Sequence, residues 1–177
     1  MTRSPEAAEV SLPSDREVMV TRVFEAPRTL VWEAFTKPEL MRRWLLGPPG
    51  WTMPVCEMDV RVGGRFRWHW RAAEDATDFG FHGKFVEVHP PAMLRHTEIF
   101  DPGDTGESMG DGEATVTVRF MERDGVTTVT SLIEYASRED RDAALSTGMT
   151  DGMEASYRQL DALLAEEPPP TPRATPP

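Results

Sequence analysis

The stretch Gly63-Gly64-Arg65-Phe66-Arg67-Trp68-His69-Trp70-Arg71, "GGRFRWHWR", places an aromatic at every second position and a basic residue between each. Successive side chains of a strand point to opposite faces. One face therefore carries Phe66, Trp68 and Trp70, and the other Arg65, Arg67, His69 and Arg71. The aromatic face must be covered by another layer, as an ordinary core or as the wall of a cavity.

Further strand-like runs surround this one. "REVMVTRVF" (16–24) reads as a first strand, and 55–60, 79–89 and 93–100 as neighbours. "EATVTVRFME" and "VTTVTSLIEYA" flank Asp124-Gly125, a strong hairpin signal. Between the first strand and the rest, "APRTLVWEAFT" repeats apolar residues at helical spacing, and Pro38 opens a short second helix, "PELMRRWL". "GPPGWTMP" reads as a rigid loop. Ser137 precedes Asp140 in a capping arrangement that opens a helix running to about Ala165. The order is β-α-α-β-β-β-β-β-β-α. Six consecutive strands with short connections favour an antiparallel meander, and the long last helix must cover its apolar face. The expected class is α+β, a curved antiparallel sheet gripping a C-terminal helix.

Residues 1–15 mix Ser, Pro and Glu without periodicity, and 166–177, "EEPPPTPRATPP", are half proline. Both read as tails around a folded domain of 16–165. The 177 residues suffice for one domain, and the net charge of −11 argues against nucleic acid and an anionic membrane surface. No apolar run approaches the roughly 20 residues that span a bilayer, and the N-terminus carries no secretory-type apolar stretch. A cytoplasmic protein is the expectation. Cys56 alternates with Met58 and Val60 and reads as a buried small hydrophobe. No His or Cys spacing suits a metal, no glycine pattern suits a nucleotide, and no cofactor is expected.

The inward faces can be followed strand by strand. Leu94, His96, Glu98 and Phe100 share one, and Ala114, Val116, Val118 and Phe120 another. The last helix presents Leu145, Met149, Met153, Tyr157, Leu160 and Leu164 at spacings of three and four. Methionine is an adaptable filler, common at promiscuous binding surfaces. Gly148 and Gly152 cost about 1 kcal/mol each relative to Ala inside a helix. They are tolerated where something must approach closely, or where the helix begins later. Composition leaves a packed core and a cavity wall equally open. His96 and Glu98 fall two apart on one face and are the weak candidates for an acid–base pair, or for orienting a polar ligand group, with a water-exposed rim pair the plain alternative. His69, among the outer arginines, reads as a solvated surface residue. The arginine stripe reads as a charged sheet face paired with local acids. The loop 101–112, with four glycines, is either a flap or a plain connection.

Four segments in order, "VTRVFEAPRTLVWEAFTKPELMRRWLLGPPGW", "MDVRVGGRFRW", "HGKFVEVHPPAML" and "TGMTDGMEASYRQLDALLA", resemble the SRPBCC superfamily. More narrowly they resemble its branch named after activators of heat-shock-protein ATPase, over about residues 16–165. The resemblance implies a START-like helix-grip fold with a deep apolar cavity between sheet and C-terminal helix. It implies a hydrophobic small molecule as ligand, and in some members cyclase or dehydratase chemistry. An enzyme of the cyclase, dehydratase or hydrolase kind using His96 and Glu98 is the alternative reading to a binding protein for a hydrophobic or aromatic molecule. The expected lining is Trp44, Phe66, Trp68, Trp70, His96, Glu98, Met149, Met153 and Tyr157, with Trp44 and Trp51 near the mouth or packing the short helices beneath it. A module binding a chaperone or regulator is the further alternative. Co-chaperone activity in the eukaryotic activators depends on an additional domain, which a chain of this length is not expected to contain. Where other members often read "WWGP", this chain has "WLLGPPG". An exposed strand edge could support a homodimer.

Overall fold

The computed structural model describes residues 6–103 and 112–166. Eight strands form one antiparallel sheet: β1 (Glu9–Ser11), β2 (Glu17–Phe24), β3 (Trp51–Met58), β4 (Arg65–Ala72), β5 (Asp78–His89), β6 (Met93–Asp101), β7 (Ala114–Arg123) and β8 (Val126–Glu134). Their spatial order is β1-β2-β8-β7-β6-β5-β4-β3, so β3 to β8 form the expected meander and β2 closes onto β8. Helices α1 (Arg28–Thr36) and α2 (Pro38–Trp44) carry the chain from β2 to the far edge. Helices α3 (Arg138–Ser146) and α4 (Met149–Glu166) follow β8. The curved sheet wraps α4, the helix-grip arrangement.

Local chemistry explains the elements. In β4, Phe66, Trp68 and Trp70 are buried while Arg65, Arg67 and Arg71 are exposed, as alternation demands. Asp124 (φ 53°) and Gly125 (φ 77°) make the β7–β8 turn with both central residues in the left-handed region, the geometry that matches strand twist. Ser137 Oγ accepts from the Asp140 amide at 3.1 Å and caps α3. Pro38 occupies the first turn of α2, where its missing N–H costs nothing.

Three sequence readings need correction. The single helix from Ser137 to Ala165 is two: Gly148 has φ 79°, ends α3 in a left-handed residue, and α4 restarts at Met149. The loop "GPPGWTMP" ends early, because Trp51–Pro54 already belong to β3; Pro54 is accommodated at a register shift between Thr52 and Val55 on an edge strand. Residues 9–11, read as part of a tail, pair with Met19–Thr21 of β2. The Ala8 amide beside them donates to Glu154 at 2.9 Å, tying this segment to α4. The proline-rich stretch 167–177 and most of the loop 101–112 lie outside the described residues. The two sheet edges are the three-residue β1 and the interrupted β3, features that discourage edge-to-edge pairing.

One charged group is built into the core. Along β2, Val18, Val20, Arg22 and Phe24 are all buried. The Arg22 guanidinium donates to both Asp161 carboxylate oxygens (3.1 and 2.6 Å), to Glu154 (3.3 Å) and to the Val23 carbonyl (2.8 Å). It also lies 5.1 Å from the Phe24 ring centre. Arg22 thereby fixes α4 across the sheet.

Candidate functional site

Between sheet and α4 lies a space that side chains do not fill, a cavity of about 670 Å³. Its longest wall comes from Trp68 and Trp70 of β4, Phe79 and Phe81 of β5, and His96, Glu98 and Phe100 of β6. Strand register explains the assembly: Trp70 opposes Phe79, Trp68 opposes Phe81, and Phe81 opposes Phe100, so all share one face. Facing them are Met149, Gly152, Met153, Ser156 and Tyr157 of α4. Phe35, Met41, Trp44 and the segment 45–48 close one end; Val116, Val118, Ser131, Ile133 and Tyr135 belong to β7, β8 and the residue after. A Cβ at Gly152 would meet nothing within 4 Å, so this glycine leaves open space beside the methionines.

Hydrogen bonds fix the large rings. The Trp44 indole N–H donates to the Ala34 carbonyl at 2.9 Å, and its ring stacks on Tyr157 with centres 6.2 Å apart. The Trp70 indole N–H donates to the Leu45 carbonyl at 2.6 Å, joining the sheet to the loop after α2. That loop is clasped to α4 in turn: the Gly47 amide donates to Ser156 Oγ at 2.8 Å, and Gln159 Nε2 donates to the Gly47 carbonyl at 2.9 Å.

Inside this apolar surround, His96 Nε2 and Glu98 Oε2 are 2.9 Å apart. A carboxylate accepts only, so the ring proton belongs on Nε2. His96 Nδ1 and the Trp68 indole nitrogen are buried with no hydrogen-bond partner among the described residues. Such orphans are uncommon in native interiors. His96 packs edgewise against Phe66 (5.0 Å) and Trp68 (5.8 Å). A His–carboxylate pair of this kind can orient a polar ligand group or pass a proton. Tyr135 donates to Met149 Sδ at 3.3 Å, and burial, helped by the charge of Glu98, holds its phenol above the ordinary range. Burial pushes the Tyr157 phenol up to about 12. Both tyrosines are therefore neutral wall residues.

The structure brings together Trp44, Trp68, Trp70, His96, Glu98, Met149, Met153 and Tyr157, together with Trp51. Phe66 does not line the cavity. It shares the inward face but packs behind the wall, against Trp68 (4.3 Å), Phe85 (5.7 Å) and His96. Phe79, Phe81 and Tyr135 are lining residues not singled out from the sequence. The alternation of Phe79 and Phe81 in "DFGFHG" was the available signal. His69 also needs correction. It lies on the outer face as expected, yet its side chain is only 14% exposed, 3.3 Å from Asp101 and 4.0 Å from Asp78. Gly80 makes room for it, since a Cβ there would sit 2.5 Å from the ring. Cys56 is buried, and burial raises its thiol to about 11, the inert small hydrophobe expected. No cluster of metal-binding side chains occurs among the described residues.

The family model described as activator of Hsp90 ATPase homolog 1-like protein matches residues 25–165. The chain belongs to this family. Solved structures agree. A crystal structure of a Rhodobacter sphaeroides protein is 30% identical, with a TM-score of 0.82 over 92% of this chain and 100% of that one. A protein of Mycobacterium smegmatis is 25% identical (TM-score 0.75, 91% and 97% covered). One from Chromobacterium violaceum is 26% identical (TM-score 0.72, 85% and 98% covered). None of the curated proteins matches significantly. Family membership establishes the helix-grip fold; what the cavity takes up must be argued from its wall. No helix among the described residues is long and apolar enough to cross a membrane.

Proposed function

We propose that this protein binds a small hydrophobic or aromatic molecule in the cavity between the sheet and α4. The observation that carries this reading is the cavity itself. Protein interiors are close-packed, with few voids larger than a water molecule, whereas about 670 Å³ here stands beside a wall of tryptophans and phenylalanines. That volume lies in the range of small-molecule sites, and their usual make-up is the same: apolar walls with a few fixed polar groups. Met149 and Met153 on the opposite side suit ligands of variable shape. The exposed large hydrophobics among the described residues, Val10, Leu12, Val62 and Met121, sit on three separate segments, which gives an interaction module less to offer.

Native mass spectrometry of freshly purified protein, followed by titration with N-phenyl-1-naphthylamine, tests the reading. A co-purifying mass of a few hundred daltons or saturable probe binding is expected, with the Met153→Trp variant losing the probe. Binding unchanged in both Met153→Trp and Trp68→Ala would place the probe elsewhere and refute it.

The 2.9 Å contact between His96 and Glu98 inside the cavity favours one second reading, an enzyme using the pair as acid and base. Any activity found should then fall by about two orders of magnitude or more in His96→Gln and Glu98→Gln. Activity indifferent to both would eliminate it.

A further inference from the structure

The charges on the cavity wall discriminate among hydrophobic ligands. Glu98 and Asp151 line it, and no lysine or arginine does among the described residues. Oε2 of Glu98 accepts from His96, while no donor among the described residues reaches Oε1. His96 Nδ1 is buried without a hydrogen-bond partner among the described residues. The cavity wall that carries this carboxylate is largely aromatic: Trp70 and Phe81 have ring centres 6.0 Å apart, Phe81 and Phe100 5.4 Å. Aromatic faces carry negative quadrupole potential and attract organic cations. A ligand carboxylate would instead meet a like charge in a low-dielectric space that no lysine or arginine lines among the described residues.

We infer that the cavity selects a cationic amphiphile, an apolar or aromatic body bearing a protonated amine or quaternary ammonium head held at Glu98. This rests on the ligand-binding reading above and specifies its chemistry. The net charge of −11 acts in the same direction by raising the local concentration of cations. Fatty acids, the commonest small amphiphiles, are disfavoured by the same arrangement.

Calorimetric titration of the full chain with decyltrimethylammonium, decan-1-ol and decanoate, each below its micellar concentration at neutral pH, tests it. The ammonium should bind at least about tenfold more tightly than decanoate, with the alcohol between. Glu98→Gln should bring ammonium and alcohol to within about threefold of each other by weakening the ammonium alone. Added salt should narrow the wild-type preference, a readout that holds even if the variant folds poorly. Decanoate binding as tightly as the ammonium would overturn the inference and leave cavity binding standing. An ammonium preference intact in well-folded Glu98→Gln would overturn the assignment to Glu98. If none of the three binds, the ligand-binding reading falls, and this inference with it.

Discussion

Replacing Arg22 with alanine should destabilise the protein by about 3 kcal/mol. The guanidinium side chain is 1% exposed, and three of its four hydrogen bonds join β2 to two carboxylates of α4. Removing one partner of a buried ion pair costs roughly 3–5 kcal/mol, mostly because the remaining charge is left uncompensated. Here the remaining charges keep some water: the Asp161 and Glu154 side chains are 21% and 19% exposed. That argues for the lower end of the range. For a chain of this size about 3 kcal/mol corresponds to a fall in Tm of roughly 6–12 °C. Urea denaturation followed by far-ultraviolet circular dichroism measures it. Arg22→Lys should lose less, since it keeps the charge but not the two-pronged contact with Asp161. A double-mutant cycle of Arg22→Met with Asp161→Asn should return a coupling of about 1 kcal/mol or more. Arg22→Ala within about 0.5 kcal/mol of wild type, the range of an ordinary surface change, would refute the reasoning. The contact bears on function because α4 carries the cavity's methionines and Tyr157.

Further outcomes follow from individual groups. Gly152→Leu should abolish N-phenyl-1-naphthylamine binding while leaving stability unchanged or improved by about 0.5–1 kcal/mol, as replacing a helical glycine in open space allows; retained binding with an unchanged fold would contradict the assignment. Tyr135 and Tyr157 are the only tyrosines, so native protein at about pH 11 should show little phenolate absorbance, while urea-unfolded protein, with pKa values of about 10, should show most of it. Because the folded phenols hold their protons more tightly, their contribution to stability is complete below about pH 10 and is lost as pH rises; a native half-titration near 10 would contradict this. Burial alone would raise the Glu154 carboxyl, but donation from the Ala8 amide and Arg22, with the charge of Arg22, holds it below the ordinary range. Its contribution is present above the unfolded carboxylate pKa and is lost as pH falls through the lower folded value, so Glu154→Gln should flatten the acid limb of a stability–pH profile.

The parts of the fold that were legible in the sequence are those set by local chemistry. The β4 alternation, the Asp124-Gly125 turn, the Ser137 cap and the apolar stripe of the last helix each act over a few residues. The break at Gly148 was legible only as two possibilities, since a glycine in an apolar stripe fits a close approach or a helix start, and only its φ of 79° decides. Residues 9–11 carry too little pattern to announce a strand. In the site, face was readable but depth was not. Phe66 and Trp68 alternate identically, yet the cavity occupies only part of the inner face, and Phe66 lies behind it against Phe85. Phe79 and Phe81 were obscured by the glycines and His82 of β5. Arg22 stands out only as a cation in an apolar alternation; its partners lie 132 and 139 residues away, beyond any sequence spacing.

The central claim, a ligand cavity between the sheet and α4, is tested most directly by methyl spectra of protein labelled at its methionines during titration with N-phenyl-1-naphthylamine. Met149 and Met153 line the cavity, whereas Met121 on β7 is 67% exposed and faces away from the core. The Met149 and Met153 methyls, assigned by single substitutions, should shift saturably, with Met121 unmoved. Shifts confined to Met121, or spread evenly over all the methionines, would contradict it.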